Sequence, residues 1–543
     1  MATAAERPAG AVEGARPAVP TWVSGIVLAI LAAALCAVML SRHHMLFGQS
    51  EYDDAVYFGS AVRLVHGVIP YRDFVLVQPP GMQLLLAPFA FLSEAIGTRD
   101  AFGAARLVLP FVAAAQVLLV WVILRHRGAM AVTVAGAVVA LHTAALSATH
   151  TILLEPTVCV LVLAALAVAF DDGELCSGNR LLIAGALIGL AVAVKLVALL
   201  ALLALALVCL PRWVEIARIA AGAVVGFAAP VVAFVVMAPR QFWHQVIWSQ
   251  FYRTFEQSAA GRNTLIGRIP ARVAGMVGLS GWSGGGTGTT PPTWLTAVVA
   301  LAVVAFVAGA YLLRARPFTR LDAAALAGTG LVGATLVLSR EIYYHYYDFL
   351  VPYLGLMLGC AASCYTAAGP RFAAAWQRWR HPDAGSADGR RLGGRHSRLG
   401  LLIGAGLALV AIGLATAGQV GWISQMRGGD ISGAVDAVVP AGACVLDTSP
   451  ALLVISDRFV STHEGCPQIV DATGIELSYA TASHEALALV WLRALKASDY
   501  LIVPQIKPGR IPLDAAARRY IRRNFHPAPR AALEIGVRNA IPR

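Results

Sequence analysis

The sequence predicts an all-α polytopic membrane protein, with about eleven transmembrane helices followed by a small α/β domain. Two observations carry the class. Of 543 residues, 58% are hydrophobic and 13% charged, and the mean hydropathy is +0.69, which suits a bilayer as solvent. The chain also holds repeated apolar runs near the 20 or so residues that a spanning helix needs. Inside lipid such runs must be helices, because an unpaired backbone amide there costs several kcal/mol. A third observation sets the C-terminal domain apart: after residue 424 the composition becomes that of a soluble protein.

The net charge of +12 raises the question of nucleic acid, and its distribution answers it. Arg125, Arg127, Arg180, Arg212, Arg218, Arg314, Arg316, Arg320 and the run from Arg371 to Arg398 all fall in connectors between apolar runs. That is the pattern of positive-inside topology, and no nucleic-acid partner is expected.

Residues 1–21, rich in Ala, Pro, Gly and Arg, read as a disordered cytoplasmic segment. The first span, 22–41, lacks a small-residue cleavage site and is expected to stay in the chain. The run 82–96 is short and follows Pro79-Pro80-Gly81. If it crossed, the basic connectors would fall on the wrong side, so it is expected to dip into the outer leaflet and return. Further spans are expected at 104–124, 129–147, 156–170, 181–195, 196–210, 219–237, 293–313, 321–338, 349–366 and 401–423, completing a membrane domain over 22–423. Within the first outer loop, Ala55, Phe58, Val62 and Val65 share one helical face, which suits a helix lying on the membrane.

The domain 424–543 is expected outside the membrane, with strands at 443–446 and 500–503 and helices at 483–496 and 513–524. Its Cys444 and Cys466 are candidates for a disulfide. The other six cysteines read as packing residues without zinc spacing.

Polar residues gather in the outer loops while the spans carry almost no charge, which puts the functional site at the outer surface. An ion-driven transporter would be expected to show ionisable groups at mid-span instead. The first outer loop holds Glu51-Tyr52-Asp53-Asp54-Ala55, then Gly67 to Tyr71, Asp73-Phe74, and Gln78-Pro79-Pro80-Gly81. Order and spacing resemble the first outer loop of GT-C fold glycosyltransferases that use polyprenyl-phosphate-linked sugars, the group of protein mannosyltransferases and aminoarabinose transferases. Glu155-Pro156 after Thr149-His150, the glycine-spaced run Gly185, Gly189 to Lys195, and Arg340 to Pro352 with its tyrosines and His345 are similar to later motifs of the group. In place of the basic residue often found before Pro-Pro, this chain has Gln78.

The resemblance implies a membrane glycosyltransferase, inverting at the anomeric carbon. It would move a hexose or pentose, mannose or arabinofuranose first, from a polyprenyl phosphate to a glycan, lipid or protein acceptor of the cell envelope. Such a transfer needs a base for the acceptor hydroxyl and positive charge for the departing phosphate. Asp53 is the expected base, with Asp54 and Glu155 orienting it or holding a divalent metal. Lys195, Arg340 and Arg72 are the expected phosphate contacts, and Tyr57, His150, His345 and Tyr346 the expected substrate contacts. Plainer readings stand beside these: Asp53 and Asp54 suit a helix N-terminus, Lys195 suits snorkelling, and the tyrosines suit an interfacial belt. The alternative activity is transport or flipping of a lipid-linked glycan.

Overall fold

The computed structural model describes residues 20–252, 265–280, 291–313, 315–339, 342–380, 409–447, 449–479, 484–502, 514–528 and 535–539. The expected phosphate contact Arg340 lies outside the described residues.

The first half runs through α1 (Thr21–Leu40), α2 (Asp53–Val65), α3 (Gly81–Ile96), α4 (Thr98–Arg106), α5 (Leu109–Leu124), α6 (Ala129–Leu141), α7 (Thr143–Ala148) and α8 (Leu154–Ala169). A hairpin of β1 (Phe170–Asp171) and β2 (Glu174–Leu175) leads to α9 (Asn179–Val194), α10 (Leu199–Cys209) and α11 (Trp213–Met237). Short helices α12 (Pro239–Phe242), α13 (Ser249–Tyr252) and α14 (Leu265–Met276) precede the long α15 (Thr293–Leu312), α16 (Arg320–Leu338), α17 (Val351–Arg380) and α18 (Leu409–Ile423). By length and composition, six helical stretches among the described residues are apolar and long enough to cross a membrane: 21–40, 98–127, 213–237, 293–312, 320–338 and 344–369. The remaining apolar helices are shorter, and their ends coincide with hydrogen-bonded connectors.

Those connectors sort into two ends of the bundle. At one end, Arg127 donates to Thr319 at 2.6 Å, Leu321 N donates to Gly173 O at 2.9 Å, and Arg320 reaches Val208 O at 2.7 Å. The clamp there is Asp322, which is wholly buried, N-caps α16 together with Thr319, and takes a two-bond grip from Arg316 at 2.6 and 2.7 Å. Most of the basic connectors singled out in the sequence thus meet at one end. The polar loops and the C-terminal domain meet at the other.

Two features fix that second end. Helices α9 and α11 cross with glycine against backbone. A Cβ at Gly185 would come within 2.1 Å of Ile219 O, and one at Gly189 within 2.2 Å of Ala223 O. Gly222 and Gly226 answer from α11, each 2.0 Å from α9 carbonyls by the same measure. Small residues at this spacing let two helix backbones meet, and the close pair carries the end of α9 to a defined place. The second feature is α3. Its first residue, Gly81, packs on the backbone of Ala193 and Val194, and just past its last turn Thr98 donates to Val454 O and Asp457 of the C-terminal domain. Both ends of this helix, about 24 Å long, therefore sit at the same end of the bundle.

The C-terminal domain has α19 (Ser432–Asp436), β3 (Val445–Asp447), α20 (Pro450–Ile455), α21 (Ala472–Ser478), α22 (His484–Ala497), β4 (Tyr500–Ile502), α23 (Ala515–Asn524), β5 (Phe525–Pro527) and β6 (Ile535–Arg538). The sheet order is β3-β4-β6-β5, with β3 parallel to β4 and the other pairs antiparallel. Trp491 of α22 is wholly buried against this sheet with Leu446, Leu501 and Phe525. Cys444 and Cys466 are bonded, with Cα atoms 5.5 Å apart.

One expectation is corrected here. Helix α2 does not lie on the lipid: Asp54 through Arg63 are all buried, and the helix is packed between α3 and α20. Gly59 receives the ring of Phe459, which a Cβ would meet at 2.6 Å, and the Arg63 guanidinium lies 4.5 Å from the centre of the same ring. The apolar face read from the sequence is real, but protein covers it, and small residues at 55, 59 and 61 let that cover come close.

Candidate functional site

The acidic pair opens α2, and its two members have different surroundings. Asp54 is wholly buried; its Oδ2 accepts from Arg106 at 2.7 Å and from Thr151 at 2.5 Å, and its Oδ1 accepts from the Ala55 amide at 2.6 Å. Burial pushes this carboxyl up from its ordinary value, while the Arg106 guanidinium and the Thr151 hydroxyl pull it back. Arg106 is itself saturated. It donates to the carbonyls of Met45, Leu46 and Gly48, at 2.9, 2.8 and 2.8 Å, and to Thr151 at 2.9 Å. The Asp54–Arg106 pair is the knot that ties the first outer loop to the heads of α5 and α8. Asp53 is partly exposed, and its Oδ2 lies 3.5 Å from the Tyr57 hydroxyl.

The second group is centred on Glu155, in the first turn of α8. Lys195 Nζ lies 2.5 Å from Glu155 Oε1, and His345 Nδ1 lies 3.0 Å from the same oxygen, within ion-pair range but not aligned for a hydrogen bond. Lys195 occupies an extended residue between the end of α9 and the 3-10 turn Leu196–Ala198, so the helix break aims it inward. Its ammonium sits 3.9 Å from the centre of the Tyr346 ring, a cation–π contact. Lys195, Tyr346, Gln78 and Phe349 line an open cleft whose other walls are largely aliphatic: Leu196 and Val197 of the 3-10 turn, Leu200 at the start of α10, and Val332 and Leu336 of α16. Gln78, where the resemblance led one to expect a base, thus does face the same space as Lys195.

The two groups are joined through the 3-10 turn Tyr344–Leu350. The Tyr344 hydroxyl donates to Glu51 Oε2 at 2.7 Å, and the next residue, His345, meets Glu155. His150 is wholly buried, with its ring 6.3 Å from that of Tyr344. A continuous polar layer therefore runs from Asp53 and Glu51 through Tyr344 and His345 to Glu155 and Lys195. Most of the residues singled out in the sequence are in it.

Arg72 is not. Its guanidinium grips the neighbouring Asp73 with two bonds of 2.8 Å on an exposed turn. Nor do the carboxylates fit a divalent metal. Asp54 and Glu155 each already face a cation, and among the described residues no three His, Cys, Asp or Glu side chains cluster as a metal site.

Sequence reasoning missed Arg106, Glu51 and Asp348. Arg106 had a legible signal, a single arginine at the head of an apolar run, where an ionisable group is costly enough to demand a partner. Asp348 is wholly buried beside Cys159, whose thiol donates to its backbone carbonyl at 3.4 Å. Gln245, also unmarked, accepts from the Leu76 amide at 3.0 Å and straps the segment before Gln78.

Comparison with known proteins gives one family match, over a little under half of the chain, and one fold. Glycosyltransferase family 87 matches residues 77–339, a stretch that includes Gln78, Glu155 and Lys195 but begins downstream of Asp53. ArnT from Cupriavidus metallidurans, solved bound to undecaprenyl phosphate, superposes with a TM-score of 0.57 at 15% identity, covering 97% of this chain and 100% of that one. The oligosaccharyltransferase of Archaeoglobus fulgidus, solved with a tethered acceptor peptide, gives a TM-score of 0.53 at 11% identity, covering 96% and 74%. At these identities the likeness is one of fold. No curated protein matches by sequence. The GT-C resemblance read from the loops is borne out.

Proposed function

We propose that this chain, which has the GT-C fold, is a membrane glycosyltransferase that transfers a sugar from a polyprenyl-phosphate donor to a cell-envelope acceptor, at the end of the bundle that carries the C-terminal domain. The observation that carries the reading is the division of labour in the acidic pair. Asp54 is locked by Arg106 and Thr151, whereas Asp53, one residue away, is a partly exposed carboxylate of the polar layer that leads to Lys195. A structural cap would need only one of them.

In this reading Asp53 takes the proton of the acceptor hydroxyl as its oxygen forms the bond to the anomeric carbon. The bond from that carbon to the phosphate oxygen breaks on the opposite face, which inverts the centre. Lys195, held at the cleft by Glu155, meets the charge that develops on the departing lipid phosphate. Tyr57, His150, His345 and Tyr346 would line the sugar, and Arg340 is a further candidate for the phosphate. The cleft between α10 and α16 suits the first isoprene units of the donor, and the undecaprenyl phosphate held by ArnT supports a lipid of that class.

The outer face of the plasma membrane is the matching location. Its support is the disulfide Cys444–Cys466 at one end of the bundle and the basic connectors at the other. Eleven crossings then put both chain segments in place. Mannose and arabinofuranose are the first sugars to try, on a lipoglycan or envelope polysaccharide.

The test is transfer from polyprenyl-phosphate mannose and polyprenyl-phosphate arabinofuranose in proteoliposomes, followed as loss of lipid-linked sugar and gain of glycosylated acceptor. Asp53→Asn should abolish transfer by at least 100-fold while donor binding persists. Wild-type transfer by that variant would end the role of Asp53. Movement of intact donor across the bilayer without transfer would favour a flippase.

A further inference from the structure

We infer that the C-terminal domain is part of the catalytic machinery, with Asp471 as a positioning residue that fixes Asp53 through Tyr52. The inference rests on the reading of Asp53 as base.

Tyr52 immediately precedes Asp53 and is buried, and its hydroxyl donates to Asp471 Oδ1 at 3.1 Å across 419 residues of sequence. The same hydroxyl accepts from the Thr473 amide at 3.3 Å, so two of its bonds go to one turn of the C-terminal domain. Asp471 is in turn rigid. It is the N-cap of α21, its Oδ1 accepts from the Gly474 amide at 2.8 Å, and the side chain is buried. Tyr52 is therefore not held by a mobile surface group but by a capped helix end whose position is set by the rest of the domain.

Other contacts act on the same short stretch. Gln49 and Gly429 exchange two backbone hydrogen bonds of 2.7 Å, and Gln49 Nε2 donates to Ser449 at 3.4 Å. Downstream, α20 covers α2, and Phe459 fills the notch at Gly59. Asp53 has a backbone that is gripped before it by Tyr52 and after it by the burial of α2. Among the described residues its carboxylate makes one long contact, 3.5 Å to Tyr57, so the orientation of the carboxylate depends on the backbone that presents it. A base misplaced by about 1 Å can cost 100-fold in rate, which is why the tether should appear in turnover.

The test compares Tyr52→Phe, Asp471→Ala, Asp471→Asn and Asp53→Asn in the full-length protein in proteoliposomes. Tyr52→Phe removes one hydroxyl and keeps the ring, and Asp471→Asn keeps an oxygen that can serve both the cap and Tyr52. The expected result is a kcat lowered about tenfold by Tyr52→Phe and by Asp471→Ala, with donor KM within about twofold, and no further loss when the two are combined, as for residues acting through one contact. Asp471→Asn should restore most of kcat. Wild-type kcat in both Tyr52→Phe and Asp471→Ala, with Asp53→Asn inactive, overturns the tether and leaves the base in place. Full activity of Asp53→Asn removes the base itself, and the inference with it. A fall in thermal midpoint without a change in kcat also overturns the inference, because it reports a merely structural contact.

Discussion

Arg106 Nη2 lies 2.7 Å from Asp54 Oδ2, and neither side chain has any exposed surface. A pair of this kind is expensive to desolvate, and what it contributes is geometry: one guanidinium gathers three loop carbonyls, a threonine and the carboxylate beside the proposed base. Removing one partner strands the other without water. Asp54→Ala or Arg106→Ala should destabilise the protein by about 3–5 kcal/mol, read as a lowered thermal midpoint in detergent. If either variant unfolds at the wild-type temperature, the knot is not what holds the loop.

Lys195 and Glu155 form the corresponding pair at the cleft. Lys195→Met keeps the length and the apolar stem but removes the charge, which should raise donor KM and lower kcat/KM by about 10–100-fold, with a smaller effect on stability than a change at Arg106. Comparison of donors bearing the phosphate with neutral lipid analogues checks the cause: the variant should bind the neutral analogue as the wild type does.

The crossing of α9 and α11 predicts a mutation that acts at a distance. Gly189→Val places a branched side chain where even a Cβ would meet Ala223 O at 2.2 Å. The helices must separate, at a cost of about 1–3 kcal/mol or more, and the end of α9 that carries Lys195 moves with them. Activity and thermal midpoint should fall together. Gly330, with open space around its Cβ position, serves as the control, and Gly330→Ala should lower neither.

Glu51 gives a pH dependence. Burial raises its carboxyl above the ordinary value of 4.5, with Asp53 and Asp54 adding to the rise and the Tyr344 hydroxyl and Tyr52 amide opposing it. The native protein then holds this proton more tightly than the unfolded chain. Its contribution to stability is complete below the ordinary value and declines as pH rises through the native one. Glu51→Gln removes that decline, so thermal midpoints measured from pH 4 to pH 8 should slope downward less in the variant. An unchanged slope would refute the assignment.

Much of this was legible in the sequence because its signals are local. Apolar run length marked the helices, basic connectors marked one end of the bundle, and the order of Asp53, Pro79-Pro80, Glu155 and Lys195 marked the other. What was not legible depends on partners far away in the chain. The apolar face of α2 is the same whether lipid or protein covers it, and the covering helix α20 begins nearly 400 residues later. Asp53 and Asp54 are identical as letters. Only the folded position of Arg106 and Thr151 separates the locked carboxylate from the exposed one. Arg72 stands apart from the polar layer for the opposite reason: its partner, Asp73, is the adjacent residue, which satisfies its charge locally at an exposed turn.

The contact between Tyr52 and Asp471 also sets an order of events. The segment bearing Asp53 is made within the first tenth of synthesis, yet the groups that seat it are made within the last fifth. A nascent chain inserted as far as α17 has the acidic pair, the glycine crossing and α3 against one side of α2, but not α20 against the other. On the proposed reading of Asp53 and Asp471, a chain truncated before α20 is an inserted membrane protein without a finished reaction centre.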